Sequence, residues 1–87
     1  MANEELMSFP CELPIKVFGR NEGDFREVAV AIVSSHFDTF ERQNVREQLS
    51  REGRFVSLTI SVVAESREQL DGLYRELTSH QSVLMVL

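Results

Sequence analysis

The sequence predicts an α+β domain in which one face of an antiparallel sheet packs against two helices. Residues 55–64 alternate apolar and polar side chains, which is typical of a strand with one buried face. Residues 66–79 repeat apolar side chains at the spacing of an amphipathic helix. With the elements justified below, the order is β-α-β-β-α-β. Two right-handed βαβ crossovers joined by a hairpin form the ferredoxin-like sandwich, with strand order 4-1-3-2 and both helices on one face.

The first half of the chain is predicted to contain a strand followed by a helix. The segment PIKVFG, residues 14–19, alternates Ile15 and Val17 with outward-facing positions and stops at a glycine, which indicates a short strand. Apolar residues at helical spacing follow, so a helix is predicted over residues 22–36. Asn21 is its predicted N-cap.

Residues 38–50 have no periodicity that decides between helix and strand. Their composition favours a helix. As a strand, they would place Arg42 and Arg46 on one face. The next segment, SREGR at residues 50–54, is typical of a hairpin turn. This context favours an edge strand over residues 40–49, where charged side chains discourage edge-to-edge aggregation.

A helix and a final strand are predicted for the last part of the sequence. Ser66 and Gln69 fit a capping box, in which the serine hydroxyl accepts a hydrogen bond from the Gln69 backbone N–H. The helix is predicted over residues 66–79. The apolar segment SVLMVL, residues 82–87, is predicted as a buried strand.

Length and composition indicate one small globular domain. The chain has 87 residues and a net charge of −5, and such an acidic chain is not expected to bind phosphate backbones. Cys11 is the only cysteine, so no intrachain disulfide can form. The sequence shows no signal peptide and no apolar run long enough for a bilayer. We therefore predict a cytoplasmic protein with no membrane segment, consisting of a flexible N-terminal arm (residues 1–10) and one domain (residues 11–87).

Six segments form a distinctive set. They are FP (9–10), KVFG (16–19), SSHF at the end of the first predicted helix, SxxGxFVSLTI (50–60), EQLDGLYREL (68–77) and MVL (85–87). This set resembles the YbeD-like family of small uncharacterised bacterial proteins. The members of that family are similar in fold to the ACT regulatory domains, which bind amino acids. The resemblance implies that residues 40–49 are a strand, and it implies no catalytic residues.

One face of the predicted sheet is covered by no helix and is a candidate surface for binding a protein. Strand alternation places aromatic rings, hydroxyls and cations on it. The candidate residues are Lys16, Phe18, Arg42, Arg46, Phe55, Ser57, Thr59 and Ser61. Such a surface suits an anion, an acidic peptide or a second copy of the sheet. The alternative is the ordinary solvated face of an antiparallel sheet.

RNA could in principle stack on the two aromatic residues of this face, Phe18 and Phe55, as it does in RNA-recognition motifs. However, the segment RFVSLTIS lacks the glycine and the second aromatic of the RNP1 pattern, and the chain is acidic. No nucleic-acid partner is therefore predicted.

The loop GRNEGD, Gly19 to Asp24, is a candidate site for a small ligand. The resemblance implies this role, because the corresponding loop of ACT domains contacts an amino acid. The candidate residues are Gly19, Arg20, Asn21 and Gly23. The alternative is turn and capping chemistry, and Glu22 and Asp24 would repel a carboxylate.

Metal binding and catalysis have little support in the sequence. Cys11, His36 and His80 are expected near one end of the sheet, but their spacing matches no metal motif, so no metal or other cofactor is predicted. No Ser-His-Asp signature or phosphate loop is present, so no catalytic residue is predicted.

We therefore predict a small non-enzymatic regulatory or adaptor domain. It would bind a protein partner, or itself as a homodimer, through the uncovered sheet face or the edge strand at residues 40–49. The alternative is an ACT-like sensor that binds a small ligand, such as an amino acid, through the Gly19 to Asp24 loop.

Overall fold

A computed structural model describes residues 8–87, so residues 1–7 of the predicted arm lie outside the described part of the chain. Within that part, the chain forms four strands and two α-helices. The strands are β1 (Cys11–Arg20), β2 (Val45–Leu49), β3 (Phe55–Ala64) and β4 (Val83–Val86). The helices are α1 (Phe25–His36) and α2 (Arg67–Ser79).

The strands form one antiparallel sheet in the order β2-β3-β1-β4, which is the predicted order read from the opposite edge. β1 pairs with β3 along its whole length, from Cys11 opposite Ala64 to Arg20 opposite Phe55. Alternation specifies this register, because a slip by one residue would turn every apolar side chain of β3 to the other face. The predicted ferredoxin-like βαββαβ fold is confirmed.

The hydrophobic core fills the space between the sheet and the two helices. From β1, Ile15 and Val17 are completely buried. From β3, the buried side chains are Val56, Leu58, Ile60, Val62 and Ala64. They face Phe25, Ala29 and Val33 of α1, and Leu70, Leu73 and Leu77 of α2. Among the described residues no polar or charged side chain is buried.

Helix α1 begins later than predicted. The helix over residues 22–36 with Asn21 as N-cap is wrong at its start, because Asp24 occupies the N-cap position and α1 begins at Phe25. Asn21 has another role, since its side-chain amide donates a 2.8 Å hydrogen bond to the carbonyl oxygen of Gly53 in the β2–β3 hairpin. Asn21, the predicted helix cap, therefore makes a long-range hydrogen bond instead.

The predicted Ser66 cap of α2 is confirmed, while the Gln69 side chain reaches back to the residue before the N-cap. The Gln69 backbone N–H donates to the Ser66 hydroxyl at 3.1 Å. The Gln69 side chain accepts from the Glu65 backbone N–H at 2.6 Å and donates to the carbonyl oxygen of His36 at 2.7 Å. One glutamine therefore caps α2 and connects it to the end of α1.

The predicted edge strand over residues 40–49 is wrong in its first half. Arg42–Asn44 form a single turn of 3-10 helix, and β2 begins only at Val45. From there β2 pairs with β3 up to Leu49 opposite Val56. The helical composition of this segment prevails before Val45 because no sheet pairing competes with it there.

The final strand is not the buried strand predicted for residues 82–87. Of its large side chains only Val83 is buried, whereas Leu84, Met85 and Leu87 are 52%, 47% and 63% exposed. The reason is that Met85 and Leu87 lie on the sheet face that no helix covers, and Leu84 lies at a register shift where no residue of β1 is opposite it.

Candidate protein-binding face

The face of the sheet opposite the helices, called the open face here, collects outward-pointing side chains from all four strands. It consists of Glu12, Pro14, Lys16, Phe18, Arg20, Arg46, Gln48, Phe55, Ser57, Thr59, Ser61, Val63, Met85 and Leu87. The structure places every predicted partner-binding residue except Arg42 on this face. The sequence prediction missed Met85 and Leu87, because an apolar run was interpreted as buried.

A row of two cations crosses the open face. Thr59 lies directly opposite Lys16 on one side and opposite Arg46 on the other. At the spacing of neighbouring strands, the backbones of Lys16 and Arg46 lie about 10 Å apart, with Thr59 between them. Among the described residues, neither cation forms an ion pair. This row, Arg46-Thr59-Lys16, is called the cationic row below.

Aromatic and aliphatic side chains lie beside the cationic row. Phe18 sits opposite Ser57 on one side and Met85 on the other. Phe55 is opposite Arg20, whose guanidinium carbon is 5.8 Å from the centre of the phenyl ring, within cation–π range. Phe55 is 41% exposed, so part of its ring is accessible on this face, further along β3 from the cationic row.

Two shallow hollows mark the open face. One of about 720 Å³ follows the cationic row and is bounded by Pro14 and Leu87. The other, of about 240 Å³, lies beside Phe18 and Phe55. Both are open to solvent, whereas sites for small molecules usually enclose most of the ligand surface. Their shape suits side chains projecting from a macromolecular partner.

The charge of the open face is opposite to that of the chain as a whole. Its charged side chains are Lys16, Arg20, Arg46 and Glu12, which sum to 3 − 1 = +2, against −5 for the sequence.

The acidic residue of β2 points to the other side of the sheet. Glu47 there accepts hydrogen bonds from Arg26 of α1, at 2.7 Å from Nε to Oε1 and 2.9 Å from Nη2 to Oε2. The hydrogen bond from Arg26 holds the pKa of Glu47 below its ordinary value. Its charge therefore does not offset the cationic row.

Arg42 does not belong to the open face, and this part of the prediction is wrong. It lies in the 3-10 turn before β2 and is exposed there. The sequence suggested a shared face with Arg46 because both would fall on the same side of a continuous strand. The chain enters the sheet only at Val45, so that alternation does not extend back to Arg42.

The loop from Gly19 to Asp24 holds the four predicted ligand-binding residues close together, but two of them have packing roles. A Cβ atom at Gly19 would overlap the ring of Phe25, so this glycine makes room for a core side chain. Asn21 holds the hairpin, as described above. Gly23 has a positive φ of 61°, which favours glycine in a turn. Arg20 borders a small groove together with Gln81.

The cysteine and the histidines do not form a common site. In the described part of the chain, no three side chains of the metal-ligating types come together. His36 instead contacts Glu76, with 2.7 Å between Nε2 and Oε1. The Nδ1 atom of His80 accepts from the backbone N–H of Ser82 at 3.2 Å.

The apolar core, the uncovered sheet and the βαββαβ order together define an ACT-like α+β domain. Solved structures agree on the fold. The ACT domain from GTP pyrophosphokinase of Chlorobium tepidum has a TM-score of 0.65 at 19% identity, covering 87% of this chain and 94% of that one. The solution structure of protein HP0495 from H. pylori has a TM-score of 0.65 at 12% identity, covering 93% of this chain and 85% of that one.

Sequence comparison assigns the family within this class. Residues 4–87 match the family described as "Protein of unknown function (DUF493)", and the chain belongs to it. A UPF0250 protein of Paraburkholderia phytofirmans is 41% identical over 85 residues, covering 98% of this chain and 96% of the relative. A UPF0250 protein of Nitrosomonas europaea is 37% identical over 87 residues, with full coverage of both chains. The resemblance to the YbeD-like family is confirmed.

No helix of the described residues has both the length and the apolar character that a membrane-spanning helix needs.

Proposed function

We propose that this chain is a non-catalytic binding domain whose open face takes an acidic segment of a protein partner. The proposal rests on the cationic row. Lys16 and Arg46 flank Thr59 on an exposed sheet surface, and the described residues supply no carboxylate that pairs with either cation. Carboxylates of a partner would form ion pairs with these two cations.

Charge selects the kind of partner. The open face is positive while the chain is negative, so an acidic segment is attracted to this face and repelled by the rest of the surface. Carboxylates that reach Lys16 and Arg46 would also accept from the hydroxyl of Thr59, which lies between them. Binding of this kind weakens as salt is added, because exposed charges are screened.

Apolar contacts favour a protein over a simple anion. Phe18 and Met85 lie beside the cationic row and Phe55 lies further along β3, and burying such side chains supplies roughly 25 cal/mol for each Å² of apolar surface removed from water. A segment that alternates acidic and apolar side chains would use both the row and its apolar neighbours. An inorganic anion would use only the cations.

Nucleic acid fits the same surface less well. Phe18 and Phe55 do lie on the two central strands, the positions from which aromatic side chains stack bases in RNA-recognition motifs. However, Phe55 already packs under Arg20, and the rest of the acidic chain repels a phosphate backbone. We expect no binding of mixed-sequence single-stranded RNA at low salt.

The small-ligand sensor remains a second prediction with weaker support. Its loop borders a groove beside Arg20 and Gln81, but Gly19 and Asn21 are already engaged in packing. A ligand that binds the folded chain raises its melting temperature. We expect none of the twenty amino acids to do so at millimolar concentration, and a reproducible increase with one of them would favour the sensor.

Affinity capture with charge-reversed variants tests the proposed function. Three forms of the chain are immobilised and exposed to lysate of the source cell. The first is the native sequence, the second carries Lys16→Glu with Arg46→Glu, and the third carries Arg51→Glu with Arg54→Glu. The third form makes the same change in net charge at exposed positions of the β2–β3 hairpin. We expect the variant with Lys16→Glu and Arg46→Glu to lose the captured acidic protein and the hairpin variant to retain it.

A titration then locates the contact. The captured protein is added to isotope-labelled chain, and amide shift changes are expected to centre on Lys16, Phe18 and Thr59. Reversal of the two cations should raise the dissociation constant at least about tenfold, which is a modest value for charges at an interface. Shift changes centred on the helices, or equal capture by all three forms, would refute the proposal.

A further inference from the structure

We infer that the outer edge of β4 is a self-association surface, at which two copies of the chain pair β4 with β4 antiparallel and extend the sheet from four strands to eight. This inference rests on a different observation from the proposed function. It uses the backbone groups at the edge of the sheet, whereas the proposed function rests on the cationic row, and only Met85 and Leu87 belong to both surfaces.

The backbone of β4 presents hydrogen-bonding groups at that edge. Lys16 and Leu87 exchange two backbone hydrogen bonds, at 3.0 Å from Lys16 N to Leu87 O and 2.8 Å from Leu87 N to Lys16 O. In an antiparallel ladder, successive residues direct these groups to opposite sides. The N–H and C=O of Val86 therefore point away from β1, where no other strand of the described chain pairs with them.

The two edges of the sheet are protected to different degrees. β2 carries Arg46 and Glu47, and charged side chains discourage strand addition at an edge. Residues 83–87 carry no charged side chain, and three of the large apolar side chains exposed in the described chain lie there. Leu84 has no opposite residue in β1, because the register shifts at that point, so residues 85–87 are the segment suited to pairing.

A second copy is the occupant because this segment is complementary to itself. A twofold pairing centred on Val86 lets the two Val86 residues exchange two hydrogen bonds. Met85 of each copy then lies opposite Leu87 of the other, on the open face. The two side chains are 47% and 63% exposed in the single chain, and the pairing covers them in both copies without bringing charged side chains together.

The affinity should be modest. A short paired segment buries well below the roughly 800 Å² per partner of a standard stable interface. We therefore expect a dissociation constant on the order of micromolar to hundreds of micromolar, so association has to be measured over a wide concentration range.

Sedimentation equilibrium tests the inference with matched substitutions at the two edges. At high concentration the native chain should approach twice its mass of 10.0 kDa. Met85→Lys adds an edge lysine to β4, while Leu49→Lys makes the same kind of change on β2 at nearly equal exposure, 47% against 48%. Met85→Lys should raise the dissociation constant at least tenfold, and Leu49→Lys should leave it unchanged. A native chain that stays monomeric up to about 1 mM, or a dimer unaffected by Met85→Lys, would overturn the inference.

Amide hydrogen exchange of the native chain gives a second test that does not depend on variants. The Leu87 amide is bonded within the chain and should be protected at every concentration. The Val86 amide should exchange rapidly in dilute solution and become protected as the concentration rises. Exchange at Val86 that does not change with concentration, in a chain that dimerises, would show that the contact lies elsewhere.

Discussion

The ring of Phe25 lies against the backbone of Gly19, so closely that a Cβ atom at Gly19 would be 2.7 Å from the ring carbon Cγ. Gly19 is at the end of β1 and Phe25 is the first residue of α1. The two residues close the first β-to-α connection around the core. This packing explains a glycine that the sequence presented as part of a ligand-binding loop.

Substitution of this glycine should destabilise the fold. We expect Gly19→Ala to lower the free energy of unfolding by about 1–3 kcal/mol, because the added methyl overpacks the site and displaces the Phe25 ring. Urea unfolding measures the change. The matched control is Gly72→Ala in α2, where the nearest atom of His36 is 3.6 Å from the new Cβ and alanine favours the helix, so no loss of stability is expected. Equal losses in both variants would contradict the packing role.

Asn21 should contribute to stability from outside any helix. Asn21→Ala leaves the carbonyl oxygen of Gly53 without its 2.8 Å donor in a partly buried site, and we expect a loss of about 1–2 kcal/mol in unfolding free energy. Asn44→Ala is the control, since the Asn44 side chain is exposed and makes no side-chain hydrogen bond within the described chain. Unfolding by urea compares the two, and an unchanged stability in Asn21→Ala would show that the hairpin does not depend on this bond.

The ion pair between Arg26 and Glu47 should make a small pH-dependent contribution to stability. The folded pKa of Glu47 is lowered by its hydrogen bond to Arg26, so the contribution is present above the unfolded pKa and is lost as pH falls through the folded pKa. We expect Glu47→Gln to lower the melting temperature slightly at pH 7 and to match the native chain at strongly acidic pH. Glu65→Gln, which removes an exposed carboxylate with no ion pair among the described residues, should show no such difference at pH 7.

Tyr74 should ionise at a higher pH than a free tyrosine, because partial burial raises its pKa. It is the only tyrosine and the chain has no tryptophan, so absorbance reports on this side chain alone. Since the folded pKa is above the unfolded one, the associated stability is complete below the unfolded pKa of about 10 and is lost as pH rises through the folded pKa. The urea-unfolded chain is the control, and identical titration curves in the two states would contradict the prediction.

Much of the fold could be predicted from local pattern. The alternation of Val56, Leu58, Ile60 and Val62 identifies the buried face of β3, and all four side chains are buried. The Ser66 cap of α2 forms as predicted. These features are local, because strand alternation and helical spacing record which side of an element is removed from water.

The candidate site could be predicted only in part. Lys16, Phe18 and Thr59 follow from alternation within strands that the sequence identifies correctly. Arg42 was misplaced because a strand boundary depends on where a neighbouring strand begins to pair, which no local pattern records.

The sequence by itself determined the order of the elements, the buried face of the central strands and the side chains that β1 and β3 present to the open face. Only the tertiary structure decided which of these side chains meet. Arg26 and Glu47 are 21 residues apart and form an ion pair, and Met85 and Leu87 are exposed because they lie on the face that no helix covers. Periodicity reports the environment of one element, whereas edges, contacts and exposure depend on the packing of all of them.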